Sequence, residues 1–183
     1  VYLDSPMAAE ATKIYQEELS YLNQEAQDTL QRDKDIFRFP HLKITNSSRD
    51  SKKINSTPPP KIIMAGSGMV EGGRMLHHFG RYLSDKRNHV LFMGYQVPGT
   101  LGSKVLGGDF DFDYYGRKVP VRAGVDQIDG FSAHADQNAL LDWLEHFKNP
   151  QKILLVHGDA KVLPIFSQKI KEKLGHDSQV IEL

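Results

Sequence analysis

Lys61-Ile62-Ile63-Met64-Ala65-Gly66-Ser67-Gly68-Met69-Val70-Glu71-Gly72-Gly73-Arg74-Met75-Leu76-His77-His78-Phe79 reads as strand, turn and helix in immediate succession. Ser56-Thr57-Pro58-Pro59-Pro60 breaks regular structure just before it. Lys61–Ala65 is a buried-type strand, Gly66–Met69 a tight turn, and Met75, Phe79 and Leu83 mark a helix from about Gly72 to Leu83. A second strand follows over Asn88–Tyr95, with Val90 to Met93 as its apolar run. Strands alternating with helices predict a layered α/β sheet.

Toward the N-terminus, Val1–Leu3 reads as a short strand. Asp4-Ser5-Pro6 then supplies a turn, a helix cap and a proline suited to the first helical position. Ala8, Ala11, Tyr15, Leu19 and Leu22 carry a helical stripe, and Asp28–Ile36 continues as polar helix or loop. Leu42–Thr45 is a short strand, and Ser47–Asn55 a short helix opened by a serine cap. Toward the C-terminus the texture changes near Gly107-Gly108, and we place a lobe boundary near residue 105. Phe110, Phe112 and Tyr114 alternate with Asp109, Asp111 and Asp113 as a half-exposed strand. Tyr115-Gly116-Arg117-Lys118 is a hairpin candidate, and Val119–Ile128 returns as strand. Leu140, Leu144 and Phe147 mark a helix, and Ile153–Val156 a buried strand ending at His157. A last helix carries Leu163, Phe166, Ile170 and Leu174, with Pro164 confined to its first turn. Gln179–Leu183 is a final strand.

Composition narrows the function. The 183 residues hold 23 basic and 23 acidic side chains, which excludes a globally basic nucleic-acid coat protein. The balance is local, however: Val1–Ile36 has 3 basic and 8 acidic residues, and Arg49–Arg87 has 8 basic and 3 acidic. That basic middle is either a solvated face or a phosphate-backbone track beside the glycine turn. Without cysteine there is no disulfide scaffold, thiol nucleophile or cysteine-based zinc finger, and an intracellular, cytoplasmic setting is expected. No apolar run approaches the ~20 residues of a membrane span, so no membrane partner is expected. The chain opens on Val1 rather than Met and reads as a piece of a longer polypeptide.

Three clusters could carry chemistry. Glycines in Gly66–Arg74 let backbone approach a ligand, and the following helix N-terminus favours an anion. Ser67, Gly68 and Arg74 are therefore phosphate or RNA candidates; a turn required only for packing is the alternative. The spacing fits neither a dinucleotide fingerprint nor a Walker loop. Ser132, His134 and Asp136 lie on a strand-to-helix turn. Asp136 suits a helix cap, and His134 could meet a phosphate or give a proton to a leaving oxygen. His157 stands at a strand end before Gly158, a position suited to a metal ligand or to a hydrogen-bonded histidine, with Asp159 as an outer partner. His77 and His78 face apart on one helix and cannot form one chelate; both read as structural, or at most one facing RNA.

Seven motifs stand in a telling order. They are Leu3-Asp4-Ser5-Pro6-Met7-Ala8, Ala65-Gly66-Ser67-Gly68-Met69 and Gly72-Gly73-Arg74-x-Leu76-His77-His78, then Asn88-x-Val90-Leu91-Phe92-x-Gly94-Tyr95-Gln96 and Gly99-Thr100-Leu101-Gly102. Ser132-Ala133-His134-Ala135-Asp136 and Val156-His157-Gly158-Asp159 complete the set. Together they resemble the β-CASP branch of the metallo-β-lactamase superfamily, nucleases that process RNA 3′ ends, essentially end to end. The resemblance implies an α/β fold. Residues 1–105 would be the C-terminal part of a β-CASP lobe with a Rossmann-like parallel sheet, and 106–183 the C-terminal part of a metallo-β-lactamase αββα domain. It also implies that His134 contacts the scissile phosphate, Ser132 a neighbouring phosphate oxygen, and that His157 holds one of two zinc ions.

The family's H-x-H-x-D-H motif, second histidine ligand, bridging aspartate and acidic motif A residue are absent and would lie before Val1. The 183-residue chain is accordingly expected to be inactive and to bind zinc weakly, as part of a zinc-dependent RNA hydrolase. An exposed apolar face is also expected, covered by the N-terminal part of the same polypeptide or by a homodimer. Two alternatives stay open: a noncatalytic RNA-binding scaffold subunit of the same family, and a nucleotide-binding α/β module.

Overall fold

A computed structural model describes residues 1–33, 35–108 and 111–181. The sequence expectations for Lys34, for Asp109 and Phe110 in the alternating strand, and for Glu182 and Leu183 in the last strand lie outside these residues. The chain forms two compact units, Val1–Phe131 and Ser132–Leu183. Both mix helix and strand.

In the first unit, β1 (Tyr2–Asp4) lies between β2 (Lys43–Ile44) and β3 (Ile63–Ala65) in a parallel sheet. The connections are helical, as parallel pairing requires. They are α1 (Pro6–Glu17) and α2 (Gln24–Asp33) before β2, then α3 (Ser48–Lys53) before β3. Each cap reads directly from sequence. Ser5 Oγ accepts from Ala8 N–H with Pro6 at the first helical position, and Ser47 Oγ accepts from Asp50 N–H. The α1 stripe predicts one helix face running on to Leu22, yet α1 stops at Glu17 and buries no residue. Ile62 and Met64 are exposed as well. A three-stranded sheet with one covered face cannot bury both sides of its strands.

After the Gly66 turn come α4 (Gly73–Tyr82) and β4 (His89–Phe92), and β4 pairs in parallel with β7 (Gly124–Gln127). Between them lie α5 (Leu101–Leu106), which the sequence reading did not predict, and the antiparallel hairpin of β5 (Asp111–Tyr114) and β6 (Arg117–Pro120). Thr100 caps α5 by accepting from Ser103 N–H, and Glu71 accepts from Leu101 N–H. Val119–Ile128 is not one strand. It bends where Arg122 and Ala123 N–H groups both donate to Leu83 O, at 2.8 and 3.0 Å. The core joins Val70, Phe79, Leu83 and Phe92 to Val105, Phe112, Val119 and Ala123. Phe79 meets Phe92 and Phe112 edge-on, with centroids 6.1 and 6.0 Å apart. Phe112 and Val119 fill this core, and the first compact unit accordingly runs on to Phe131.

The second unit holds α6 (Gln137–Glu145), β8 (Leu154–Leu155), α7 (Leu163–Leu174) and β9 (Gln179–Val180), the strands paired in parallel. Asp136 caps α6 by accepting from Ala139 N–H at 2.8 Å, and Pro164 sits in the first turn of α7. Leu141, Leu144, Ile153, Leu155 and Ile170 form the core. Ile153–Val156 is half-buried instead of buried, because Leu154 and Val156 face outward. Trp143 is 60% exposed and edge-on to Phe147 at 4.8 Å, and Val162 and Ile165 are exposed too.

Candidate functional site

The first cluster gathers where β1 and β3 end side by side, with Asp4 paired to Ala65. The chain then turns through Gly66–Gly72 into α4. Gly73 has φ +67°, and a Cβ there would lie 3.0 Å from Gly66 O, so glycine is needed for this close approach. Met75 N–H donates to Gly66 O at 2.9 Å, and Val70 N–H to Ser67 O at 3.2 Å. Gly68 is exposed and Ser67 half-buried. The cap residue Gly72 has no side chain to bond the first amides of α4, and a helix start of this kind favours anions.

Arg74 does not project freely from this turn. Its Nη1 donates to Asp4 Oδ1, to Thr45 O at 2.8 Å and to Thr45 Oγ1 at 3.1 Å. One turn along α4, His78 Nε2 meets Asp4 Oδ2 at 2.7 Å. Ser51 Oγ donates to the same oxygen at 2.7 Å, and Thr45 Oγ1 donates to Oδ1. Burial alone would raise the Asp4 carboxyl. The bonds from Thr45, Ser51, His78 and Arg74 outweigh it and hold the group below its ordinary value. This fully buried carboxylate ties β1, β2, α3 and α4 together. The sequence reading saw Asp4 only as a turn residue; the available signal was Arg74 and His78, spaced i, i+4 on one helix face. His77 faces the other way, its Nδ1 2.9 Å from Tyr114 Oη, so the two histidines do face apart.

The second cluster belongs to the second unit. Ser132 and His134 are exposed on the irregular segment before the Asp136 cap. Ser132 Oγ accepts from His134 N–H at 3.2 Å and lies 3.3 Å from His134 Nδ1. With a donor already on its lone pair, the hydroxyl can turn its own proton to Nδ1. That arrangement puts the ring proton on Nε2, which faces away from Ser132 and can donate to an oxyanion.

The third cluster follows β8. His157 is exposed with φ +60°, and Asp159 Oδ1 accepts from Lys161 N–H at 2.8 Å as a turn brace. Structural zinc takes four ligands and catalytic zinc about three plus water. Among the described residues no three His, Asp or Glu side chains converge. His157 alone does not make a zinc centre, so the donor set among the described residues does not fit the ion by itself. No helix among the described residues is long and apolar enough to cross a membrane.

Residues 1–105 match the Beta-Casp domain model, and residues 118–181 match the Zn-dependent metallo-hydrolase RNA specificity domain. The chain is 40% identical over 163 residues to ribonuclease TTHA0252 of Thermus thermophilus, covering 89% of this chain and 37% of that protein. It is 32% identical over 178 residues to transcription termination factor FttA of Methanocaldococcus jannaschii, covering 93% of this chain and 28% of the relative. Integrator complex subunit 11 of Gallus gallus is 29% identical over 174 residues, covering 94% of this chain and 28% of the relative. The chain thus spans roughly a third of the length of the relatives it matches.

Proposed function

The chain belongs to the β-CASP family of the metallo-β-lactamase superfamily, and from that membership we propose that it is part of an RNA phosphodiester hydrolase. The observation that carries the reading is the Ser132–His134 pair, exposed on one turn, with no hydrogen bond to Nε2 among the described residues. In this reading Ser132 fixes the imidazole, and His134 Nε2–H donates to a phosphoryl or leaving-group oxygen. Ser67 and Gly68 offer the Gly66 turn to a backbone phosphate, and Arg74 holds that turn in place from its bond to Asp4. Residues 1–105 supply the β-CASP lobe, with β2-β1-β3 as its Rossmann-like sheet, and 106–183 supply the metallo-β-lactamase part. His157 contributes one ligand toward zinc, and the remaining ligands come from a longer polypeptide.

The test uses a polypeptide of the relatives' length, assayed for bound zinc and RNA cleavage. His134→Ala should lower cleavage by about 10²- to 10⁴-fold with metal retained, the usual share of a general acid. His157→Asn, which tolerates the positive φ, should lower both metal and cleavage. RNA binding without zinc and without cleavage would overturn the hydrolase and leave the scaffold reading. The 183-residue chain itself is expected to cleave nothing; chelator-sensitive cleavage by it would overturn that part.

A further inference from the structure

An open basin of about 770 Å³ lies within the first unit, walled by α3, α4 and the β5–β6 hairpin. Its lining includes Lys52, Arg81, Arg117 and Lys118, and no Asp or Glu among the described residues. These cations are only lightly engaged. Lys118 Nζ is 3.6 Å from Asp113, both exposed, a pair of little strength. Arg117 Nη2 donates to Gly80 O at 2.9 Å, and its guanidinium lies 5.6 Å from the Tyr114 ring. Arg81 lies 5.9 Å from the Tyr82 ring.

An aromatic group stands at the rim. Tyr115 is 75% exposed, lies parallel to His77 with centroids 6.2 Å apart, and meets Tyr114 edge-on at 4.9 Å. Its backbone is more telling. Tyr115 and Gly116 form a two-residue hairpin loop with φ of +51° and +78°. Such loops favour Asn-Gly, and a bulky residue at the first position is strained. Turn formation therefore does not account for tyrosine here, and strain of this kind collects where a side chain serves a ligand.

We propose that this basin is a binding surface for single-stranded RNA, with Tyr115 stacking on a base and Lys52, Arg81, Arg117 and Lys118 meeting successive phosphates. Exposed aromatics interleaved with cations are the means by which unpaired strands are held. A duplex keeps its bases stacked on each other and offers Tyr115 no face. The choice of RNA as the polymer rests on the function proposed above; the basin itself rests on its own residues.

The experiment measures fluorescence anisotropy of a labelled single-stranded RNA oligomer with the 183-residue chain, over a salt series. Tyr115→Asn suits the loop better than tyrosine, so its melting temperature should hold or rise while affinity falls about tenfold or more. Lys52→Ala with Arg81→Ala should flatten the slope of log affinity on log salt by about 1.4, from about 0.7 per phosphate contact. If the wild-type chain binds RNA and all three substitutions leave it unchanged, the basin is wrong and the hydrolase reading stands. No RNA binding by the wild type overturns the basin, while cleavage by the longer polypeptide still decides the hydrolase. Equal competition by double-stranded RNA or polyglutamate also overturns it, in favour of a general polyanion or protein-facing surface.

Discussion

Asp4 concentrates more consequences than any other residue in the first unit. Its carboxylate is fully buried and takes bonds from four side chains, so removing its charge leaves Arg74 without its counter-charge. Breaking such a pair from one side costs about 3–5 kcal/mol. Asp4→Asn keeps the shape and some bonds, so we expect a loss near the lower end, about 3 kcal/mol, in urea unfolding. The folded carboxyl titrates below its ordinary value of 3.8. Its contribution is therefore full above that value and fades as pH falls through the lower, folded one. Wild-type stability should drop on acidification below about 4, and the Asp4→Asn protein should lose that part of the acid response. An unchanged acid limb would sink the assignment. At this scale the sequence was partly legible. Ser5, Ser47 and Asp136 are caps because cap and helix are neighbours in the chain. Asp4, Thr45, Ser51 and His78 meet only through folding, over separations of up to 74 residues, and the i, i+4 spacing of Arg74 and His78 is the one local pattern that points to them.

Most helix and strand identities were legible; strand burial was not. The α4 turn illustrates the first. Gly72-Gly73 before an apolar stripe marks the helix start, and the structure adds why the second glycine is required. Gly73→Ala meets a positive φ and a backbone oxygen at 3.0 Å, so we expect about 1–3 kcal/mol of destabilisation by thermal melting. Gly68→Ala, with nothing within 4 Å of its Cβ, serves as the nearby control. Strand burial depends on what covers each face, and the apolar runs Lys61–Ala65 and Ile153–Val156 carry no record of that. The same holds for α5, whose six residues are too few for a periodic pattern. The break between β6 and β7 was not legible either, because the N–H groups at the bend donate to Leu83 O, far away in sequence.

Two separate cores organise the whole molecule, and each sets its own tolerance. The second unit, Ser132–Leu183, rests on five buried side chains among the described residues, and small units of this kind have little stability to lose. Ile170 is completely buried at its centre. Ile170→Ala removes about 2–5 kcal/mol, enough to unfold this unit at ordinary temperature while the first unit keeps its structure. Loss of the first unit in the same variant would contradict two cores. The motif order reads as a chain of two parts. That Phe112 and Val119 pack into the first core was not legible, since they meet their partners only in three dimensions.

The position of Trp143 gives this molecule a built-in pair of optical labels. It is the only tryptophan, and it lies on α6. All seven tyrosines fall between Tyr2 and Tyr115. Excitation at the red edge, where indole alone absorbs, therefore illuminates the second unit, and tyrosine absorbance follows the first. Being 60% exposed, the indole already emits toward the wet end of its range when folded. Unfolding of the second unit will register as a change in intensity, as Phe147 leaves the ring, more than as a shift in colour.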